Sequence, residues 1–356
     1  MRDRLVSTPR FHDVIAALPF ARPVAARQTR ALFDVVSGFV YAQTLSALVE
    51  LDAFALLRER PRSTDELAQA FAMPQRSVVT LMRAGEALGL INRRSHGWGL
   101  GLAGAAILGQ GGVAEMVGHH HRLYADLADP VALLRGERDS ALGNFWGYAA
   151  AAGPNAEASE GYSGLMAASQ AFIHAAVLHN RAFSRASHLM DLGGGAGAFA
   201  LAALARHPSM SALVGDRPDV VPLAENAFAE AGMVDRARAF SFNFFADSLP
   251  AEPDLFTLVR VLHDHDDEAV ATLLANVARS IGSRELLVIE PFADPSQPSG
   301  LDVYFPWYFR AMGQGRLRTA NEVRQLLTDA GFQTVRPLHS RNKVLVQGLS
   351  ARVRLY

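Results

Sequence analysis

Residues 191–197 read Asp-Leu-Gly-Gly-Gly-Ala-Gly, directly after the apolar pair Leu189-Met190 and directly before an Ala/Phe/Leu-rich stretch. Few structures accommodate so many small residues in so short a span. Glycine adopts positive φ without penalty and lets the backbone approach a neighbour closely. The apolar pair suits a short buried strand. The stretch that follows suits a helix, whose first N–H groups lack partners and face the turn. The segment predicts a strand, a tight turn and a helix, with a carboxylate, Asp191, at the strand's end.

From residue 186 onward, strand and helix patterns alternate. Strands are expected at 187–192, 211–216, 237–243, 254–262, 284–290, 333–339 and 343–349, with helices at 197–206, 218–231, 266–280 and 320–330. Strands separated by helices run parallel. The last two are joined by Ser340-Arg-Asn342 alone, too short for a crossover, so they must pair antiparallel. The expected fold class is α/β: a Rossmann-like sheet of the class I methyltransferase type with a C-terminal antiparallel hairpin.

The glycine turn admits two cofactors. Gly193-x-Gly195-x-x-Ala198 fits the dinucleotide fingerprint, with Asp216 near the distance of a ribose-binding acid. Asp191 tilts the choice, because a pyrophosphate gains nothing from a fixed negative charge there. S-adenosylmethionine carries an ammonium and a sulfonium, and both tolerate a nearby carboxylate. The expected cofactor is S-adenosylmethionine, and a nicotinamide oxidoreductase stays open as an alternative.

The N-terminal part has a different pattern. Residues 27–58 show helical apolar spacing from Leu32 to Leu57. Ser63 with Glu66 forms a capping-box signature, and Pro74 to Ser77 starts a second helix. Two apolar arms around Ser95-His96-Gly97 read as a hairpin. Helix, helix and hairpin suggest a winged helix. Its second helix offers Gln75, Arg76 and Arg83 on an otherwise apolar segment, which is thin for groove reading. Packing or homodimerisation is the favoured use. A DNA-binding regulator is the alternative, and the net charge of −1 speaks against nucleic acid. Cys is absent, which excludes disulfides and thiolate chemistry.

The start of the chain lacks the unbroken apolar run of a signal peptide, and the windows 36–57 and 99–118 are interrupted by polar residues. A cytoplasmic protein is expected, with an arginine-rich start available to an anionic membrane surface. The chain divides into 1–110 (dimerisation), 111–185 (helical linker and substrate roof) and 186–356 (cofactor domain). His119-His120-His121 is no metal site: adjacent helical side chains point about 100° apart.

The chemistry gathers at strand ends, where such sheets bind ligands. Asp216 ends the second strand and is placed to hold a ribose. Asn243 ends the third, beside Phe244, and suits an adenine ring. His263 follows the fourth strand, and Glu290 ends the fifth. Histidine titrates near neutral pH and can take a proton from a hydroxyl. A carboxylate on the next strand can orient it. Asp266, Asp267 and Glu268 suit the N-terminus of the following helix.

Five motifs carry a resemblance: Asp191-x-Gly-Gly-Gly-x-Gly197, Asp216-x-Pro-x-Val-Val221, Arg260-Val-Leu-His-Asp264, Ile289-Glu-Pro291 and Arg318-Thr-x-x-Glu322. In order and spacing they resemble the S-adenosylmethionine-dependent O-methyltransferases of the caffeate and hydroxyindole type, over about residues 30–348. The resemblance implies a dimerising N-terminal winged helix, cofactor contacts from Gly193, Gly195, Asp216, Asn243 and Phe244, and His263 as base. Leu123 to Pro130, Leu165 to Gln170 and Met312 to Thr319 are similar to a bacterial branch that methylates the tertiary hydroxyl of acyclic carotenoids. That branch implies an apolar hydroxylated acceptor, walled by Tyr124, Met166, Phe172, Trp307 and Met312. A polyketide phenol or a bacteriochlorophyll precursor is the alternative acceptor. The plant members have Trp where His265 stands, Glu where Leu317 stands and Asp where Asn243 stands. Their cofactor-contacting Lys is replaced by Val259, with Arg260 next in line for that contact.

Overall fold

A computed structural model describes residues 20–109, 112–137, 139–146, 173–174, 176–341 and 346–353, with scattered positions before residue 20. The chain forms two compact units, residues 1–109 and 110–356.

The first unit begins with a long helix, α1 (Arg22–Glu50), followed by α2 (Ala53–Glu59), α3 (Thr64–Ala70) and α4 (Gln75–Ala87). A hairpin of β1 (Ile91–Arg94) and β2 (Gly97–Leu100) and a helix α5 (Leu102–Gly109) complete it. Ser63 and Glu66 form the expected reciprocal cap of α3. The core joins Leu48, Phe54, Leu67, Met82, Ile91 and Trp98. By length and composition α1 is apolar enough to cross a bilayer. The 36–57 window hides this because it straddles the turn at Leu51-Asp52, where α1 ends. Leu48 near the C-terminal end of α1 is buried, whereas Leu32, Phe33, Val35, Val36 and Phe39 are at least 64 % exposed.

The second unit opens with α6 (Val113–Leu127), α7 (Pro130–Arg135), α8 (Ala141–Trp146) and α9 (Arg181–Arg185). Then strands and helices alternate: β3 (His188–Leu192), α10 (Ala198–Arg206), β4 (Ser211–Asp216), α11 (Val221–Glu230), β5 (Ala237–Ser241), β6 (Leu255–Val259), α12 (Asp267–Ile281) and β7 (Glu285–Glu290). A short ladder of β8 (Phe292–Ala293) and β9 (Arg318–Thr319) brackets α13 (Gly300–Met312). The chain continues through α14 (Ala320–Asp329), β10 (Thr334–Leu338) and β11 (Gln347–Arg352).

The described strands form a seven-stranded sheet in the order β10-β11-β7-β6-β3-β4-β5. β3 to β7 are mutually parallel, and β11 is antiparallel to both β7 and β10. This is the class I methyltransferase sheet with its antiparallel hairpin. Period-2 alternation buries both faces. Leu255, Val259, Leu287 and Ile289 face one core with Phe183, Phe199 and Phe228. Phe256, Leu258, Leu286 and Val288 face the other with Leu273, Val277 and Phe332. The strand order reverses between β3 and β6, which opens a crevice at their carboxyl ends.

Three boundaries differ from expectation. β6 stops at Val259, not at 262, because Arg260 takes a left-handed conformation with φ 57°. His263 therefore sits on a single 3-10 turn, Leu262–Asp264, rather than at the strand's end. β5 ends at Ser241, two residues before Asn243. The described part of β11 lies later than expected, at Gln347–Arg352.

Gly197 ends the cofactor turn with φ 75°, and a Cβ there would lie 2.5 Å from the ring of Phe228. That ring is fully buried and has nowhere to go. Gly197→Ala is expected to lower stability by about 2–4 kcal/mol, from left-handed strain plus overpacking. Denaturant unfolding measures it, and a loss below about 0.5 kcal/mol contradicts the packing described.

Candidate active site

The glycine turn is built by three left-handed residues, Gly193, Gly195 and Gly197, with φ 70°, 58° and 75°. The Gly193 N–H donates to Gly215 O at 2.8 Å, and the Gly195 N–H donates to Asp216 Oδ2 at 2.8 Å. Asp216 thus already braces the turn it is expected to share with a ligand. Asp191 lies beneath, 1 % exposed. Its Oδ1 accepts a hydrogen bond from Thr257 at 2.6 Å, directly across the β3–β6 register. Its Oδ2 is buried with no hydrogen-bond partner among the described residues. Burial pushes the Asp191 carboxyl up to about 7, against the pull of Thr257. Burial also raises Asp216. The turn is a glycine arch, its Gly193, Gly195 and Gly197 N–H groups bonded within the protein, above a buried acid with one unpartnered oxygen.

The walls come from neighbouring strand ends. A Cβ on Gly193 would lie 3.0 Å from Val261 and 3.5 Å from the ring of Phe244, so the turn touches both. Phe244 packs edge-on against Phe245 and His265, at 4.7 and 5.8 Å between centroids. Asn243 is exposed, and its Oδ1 accepts the Phe245 N–H at 3.0 Å. Its amide shapes the loop that presents Phe244.

Past β6, the 3-10 turn carries His263, 5 % exposed. Glu290 Oε1 accepts the Leu262 N–H at 2.7 Å, and Oε2 pairs with His263 Nδ1. One carboxylate therefore fixes both the backbone and the ring of the same turn. A proton on Nδ1 directed at Glu290 leaves Nε2 as the basic nitrogen. Nε2 faces Asp264 Oδ1 at 3.3 Å. Burial raises the Asp264 carboxyl above its ordinary range, against the pull of His263 and Arg260. An imidazolium formed here lies between two carboxylates.

The ring of His263 meets Phe309 and Phe305 of α13 at 5.4 and 6.1 Å. The same helix offers Tyr304, whose hydroxyl lies 2.8 Å from His120 Nε2, and Tyr308, 3.1 Å from His119 Nε2. His121 turns away to Gly118 O. The three histidines thus have three separate partners. Burial pushes Tyr304 up to about 12 and His119 down to about 4, so both are neutral near pH 7.

The expected residues distribute unevenly. Asp191, Gly193, Gly195, Asp216 and Phe244 surround one crevice, and His263 with Glu290 lies on the adjoining strand ends. The positive charge of Arg260 acts on Asp264 and Tyr304, between that crevice and α13. Tyr124 is half-buried on α6 with its ring 6.2 Å from His120. Met312 is 2 % exposed and packs with Leu123, Leu142 and Phe309, and Trp307 packs against the same cluster. Met166 and Phe172 lie outside the described residues. Asp266 caps α12, and Asp267 and Glu268 lie in its first turn as expected; Asp267 pairs in addition with Arg316 and Arg318. Thr257, Asp264 and Arg318 are the residues that sequence reading misses. Thr257 does leave a signal: it is a lone hydroxyl inside the apolar run Leu255 to Val259.

The O-methyltransferase domain family matches residues 124–333. The chain is 39 % identical to a demethylspheroidene O-methyltransferase of Cereibacter sphaeroides, over 94 % of this chain and 89 % of that protein. The chain belongs to the O-methyltransferase family. It is 37 % identical to a demethylspheroidene O-methyltransferase of Rhodobacter capsulatus, over 93 % and 84 % of the two chains. Among solved structures, the S-adenosylmethionine-dependent methyltransferase SibL in its apo form superposes with a TM-score of 0.76 at 26 % identity, covering 91 % of this chain and 99 % of that one. For this O-methyltransferase, the sheet order and the glycine turn agree with that kinship.

The raised Asp191 carboxyl has a testable consequence. The unfolded chain releases this proton near the ordinary carboxylate range, and the folded chain holds it to about 7. The fold is therefore favoured below that window and loses stability as pH rises through it, levelling off above. Asp216 and Asp264 shift the same way, so the difference between variants isolates Asp191. Thermal melts of ligand-free protein are expected to show Asp191→Asn gaining on the wild type between pH 5 and pH 8. A constant difference across that range contradicts the assignment.

Proposed function

We propose that this O-methyltransferase moves a methyl group from S-adenosylmethionine to the tertiary hydroxyl at the end of an acyclic carotenoid. The orphaned Oδ2 of Asp191 and the left-handed glycine cradle fit a ligand that brings an ammonium and no phosphate. Asp216 would hold the ribose, the Phe244 face the adenine, and the glycine turn over Asp191 the methionine part. When bound, the cofactor supplies an electrophilic methyl carbon. The carotenoid assignment is supported by the names of the two relatives above and by the aromatic wall of Phe305 and Phe309 beside the base.

The single observation that carries the reading is His263, held by Glu290 at the strand edge next to that crevice. A tertiary alkanol is much less acidic than a phenol. Its proton must leave as the oxygen attacks, not before. Nε2 accepts it, and Glu290 and Asp264 stabilise the imidazolium. Buried aromatic surroundings exclude water and strengthen those charge interactions. Alignment of the hydroxyl supplies much of the remaining rate, ~7–11 kcal/mol in favourable cases.

The test is incubation with labelled S-adenosylmethionine and a panel of hydroxylated acyclic carotenoids, phenols and chlorins, with mass spectrometry of the products. Methylation of the carotenoid hydroxyl is expected. Transfer confined to a phenol or chlorin replaces the acceptor assignment. His263→Ala is expected to lower kcat by about 10²- to 10⁴-fold with cofactor binding retained. An unchanged rate removes His263 from the mechanism.

We infer further that a second copy of the chain covers the exposed apolar residues of α1, in a cytoplasmic homodimer. Val35 and Phe39 lie one turn apart and are 81 % and 71 % exposed. Val35→Glu with Phe39→Glu is expected to halve the mass seen by sedimentation. A wild-type chain that sediments as a monomer without lipid, yet binds anionic vesicles, assigns that face to a membrane surface instead.

A further inference from the structure

We propose that Arg318 is the positioning residue of the catalytic turn, acting on His263 through the backbone; the inference rests on reading His263 as the base. The turn is poorly held by its own bonds. It follows the left-handed Arg260, and its internal hydrogen bonds are long: Asp264 N–H to Val261 O at 3.2 Å and His265 N–H to Leu262 O at 3.3 Å. Glu290 grips its N–H side through Leu262. The C=O side is gripped by residues 314–318.

Four successive carbonyls find donors there. Arg318 Nη1 donates to Leu262 O at 2.6 Å, and Nη2 donates to His265 O at 2.8 Å. Between them, the Arg316 N–H donates to His263 O at 3.0 Å, and Gln314 Nε2 donates to Asp264 O at 3.0 Å. Arg318 Nε closes the arrangement on Asp267 Oδ1 at 2.9 Å, at the first residue of α12. A single guanidinium thus spans the start of the turn, its end and the helix that follows.

Two features mark this as a template for the base rather than a surface ion pair. Arg318 is 2 % exposed, so its donors are not shared with bulk water. Gly315 has φ 82°, and a Cβ there would lie 2.3 Å from His263 O. The strand-side segment is shaped to lie flat against the carbonyl of the base itself. Guanidinium is needed for this, because its planar fork offers several donors in fixed directions, whereas a lysine ammonium is one point charge on a flexible stem. Without the fork, the turn is free to rotate about Glu290 and carry Nε2 away from the acceptor oxygen. A misplacement of about 1 Å is enough to lower turnover about 100-fold.

The experiment compares full-length wild type, Arg318→Met, Arg318→Ala, Arg318→Lys and Gly315→Ala in two readouts. With a methylated acceptor in hand, Arg318→Met is expected to lower kcat about 100-fold with both KM values within about two-fold. In Arg318→Ala, which unlike Met leaves the buried site open, methylguanidine in the buffer is expected to restore at least a tenth of the lost rate. Arg318→Lys fails to rescue, and Gly315→Ala reproduces the loss with the charge intact. The second readout needs no acceptor: amide exchange of the 262–268 peptide accelerates in Arg318→Met and Gly315→Ala, while the β3 peptide stays slow. A wild type that methylates no panel member overturns the carotenoid reading and leaves exchange to decide the clamp. Unchanged exchange of 262–268, or a kcat loss matched by KM with no effect of methylguanidine, overturns the positioning role.

Discussion

One buried contact organises the second unit: Asp191 on β3 against Thr257 on β6. These strands flank the point where the sheet's order reverses, and the crevice opens over them. A carboxylate in that position cannot be left unanswered, because burying it without partners is costly. Thr257 satisfies one oxygen across the strand register, and the other is buried without a hydrogen-bond partner among the described residues. The glycine turn follows from the same geometry. With an acid fixed below, the backbone must pass over it closely, and a Cβ on Gly194 would lie 2.7 Å from Asp191 Oδ2. Gly194 is the steric shadow of the carboxylate, whereas Gly193 answers to Val261 and Gly197 to Phe228.

The base is held by a different logic. Along β3 the ligand-facing groups sit on the strand and its turn. His263 instead sits beyond β6 on a turn with little hydrogen bonding of its own. Its orientation comes from both sides at once: Glu290 on the N–H face and the 314–318 segment on the carbonyl face. That division of labour fits the apolar Leu317 just before β9, which brings no carboxylate to the ring beyond Glu290 and Asp264. Leu317 packs instead into the cluster beneath α13. Orientation of the ring by Glu290 is joined by orientation through the main chain.

Much of this was legible in the sequence. Every strand of the large sheet was expected within a few residues, because period-2 apolar runs and intervening amphipathic helices are local signals. Asp191, Asp216, His263 and Glu290 stood out because polar residues at the ends of apolar runs mark the ligand edge. What stayed hidden depends on tertiary contact. Nothing local reveals that Arg260 turns left-handed, which moves His263 off the strand. Arg318 precedes an ordinary capping box, Thr319 with Glu322, and so reads as part of a helix start. Met312 looks like a pocket wall by residue type, yet helical phase carries it into the core. Asp267 is the helix-end acid it looks like, but its pairing with two arginines from another segment leaves no local signal.

The site also shows where this fold gives up stability for chemistry. Asp191, Asp216 and Asp264 are all pushed toward protonation by burial. An apolar or amide replacement at any of them relieves that penalty in the empty protein. All three lie within reach of the proposed reaction path, two around the cofactor crevice and one beside Nε2. Their charges become favourable only once positive charge arrives, as a bound ammonium in the first case and as an imidazolium in the last. A site whose electrostatics are wrong when empty and right when occupied binds the charged state more tightly than the neutral one, which is what transition-state complementarity requires. The surrounding scaffold can carry that burden because both faces of the sheet are packed with fully buried aromatic and aliphatic side chains.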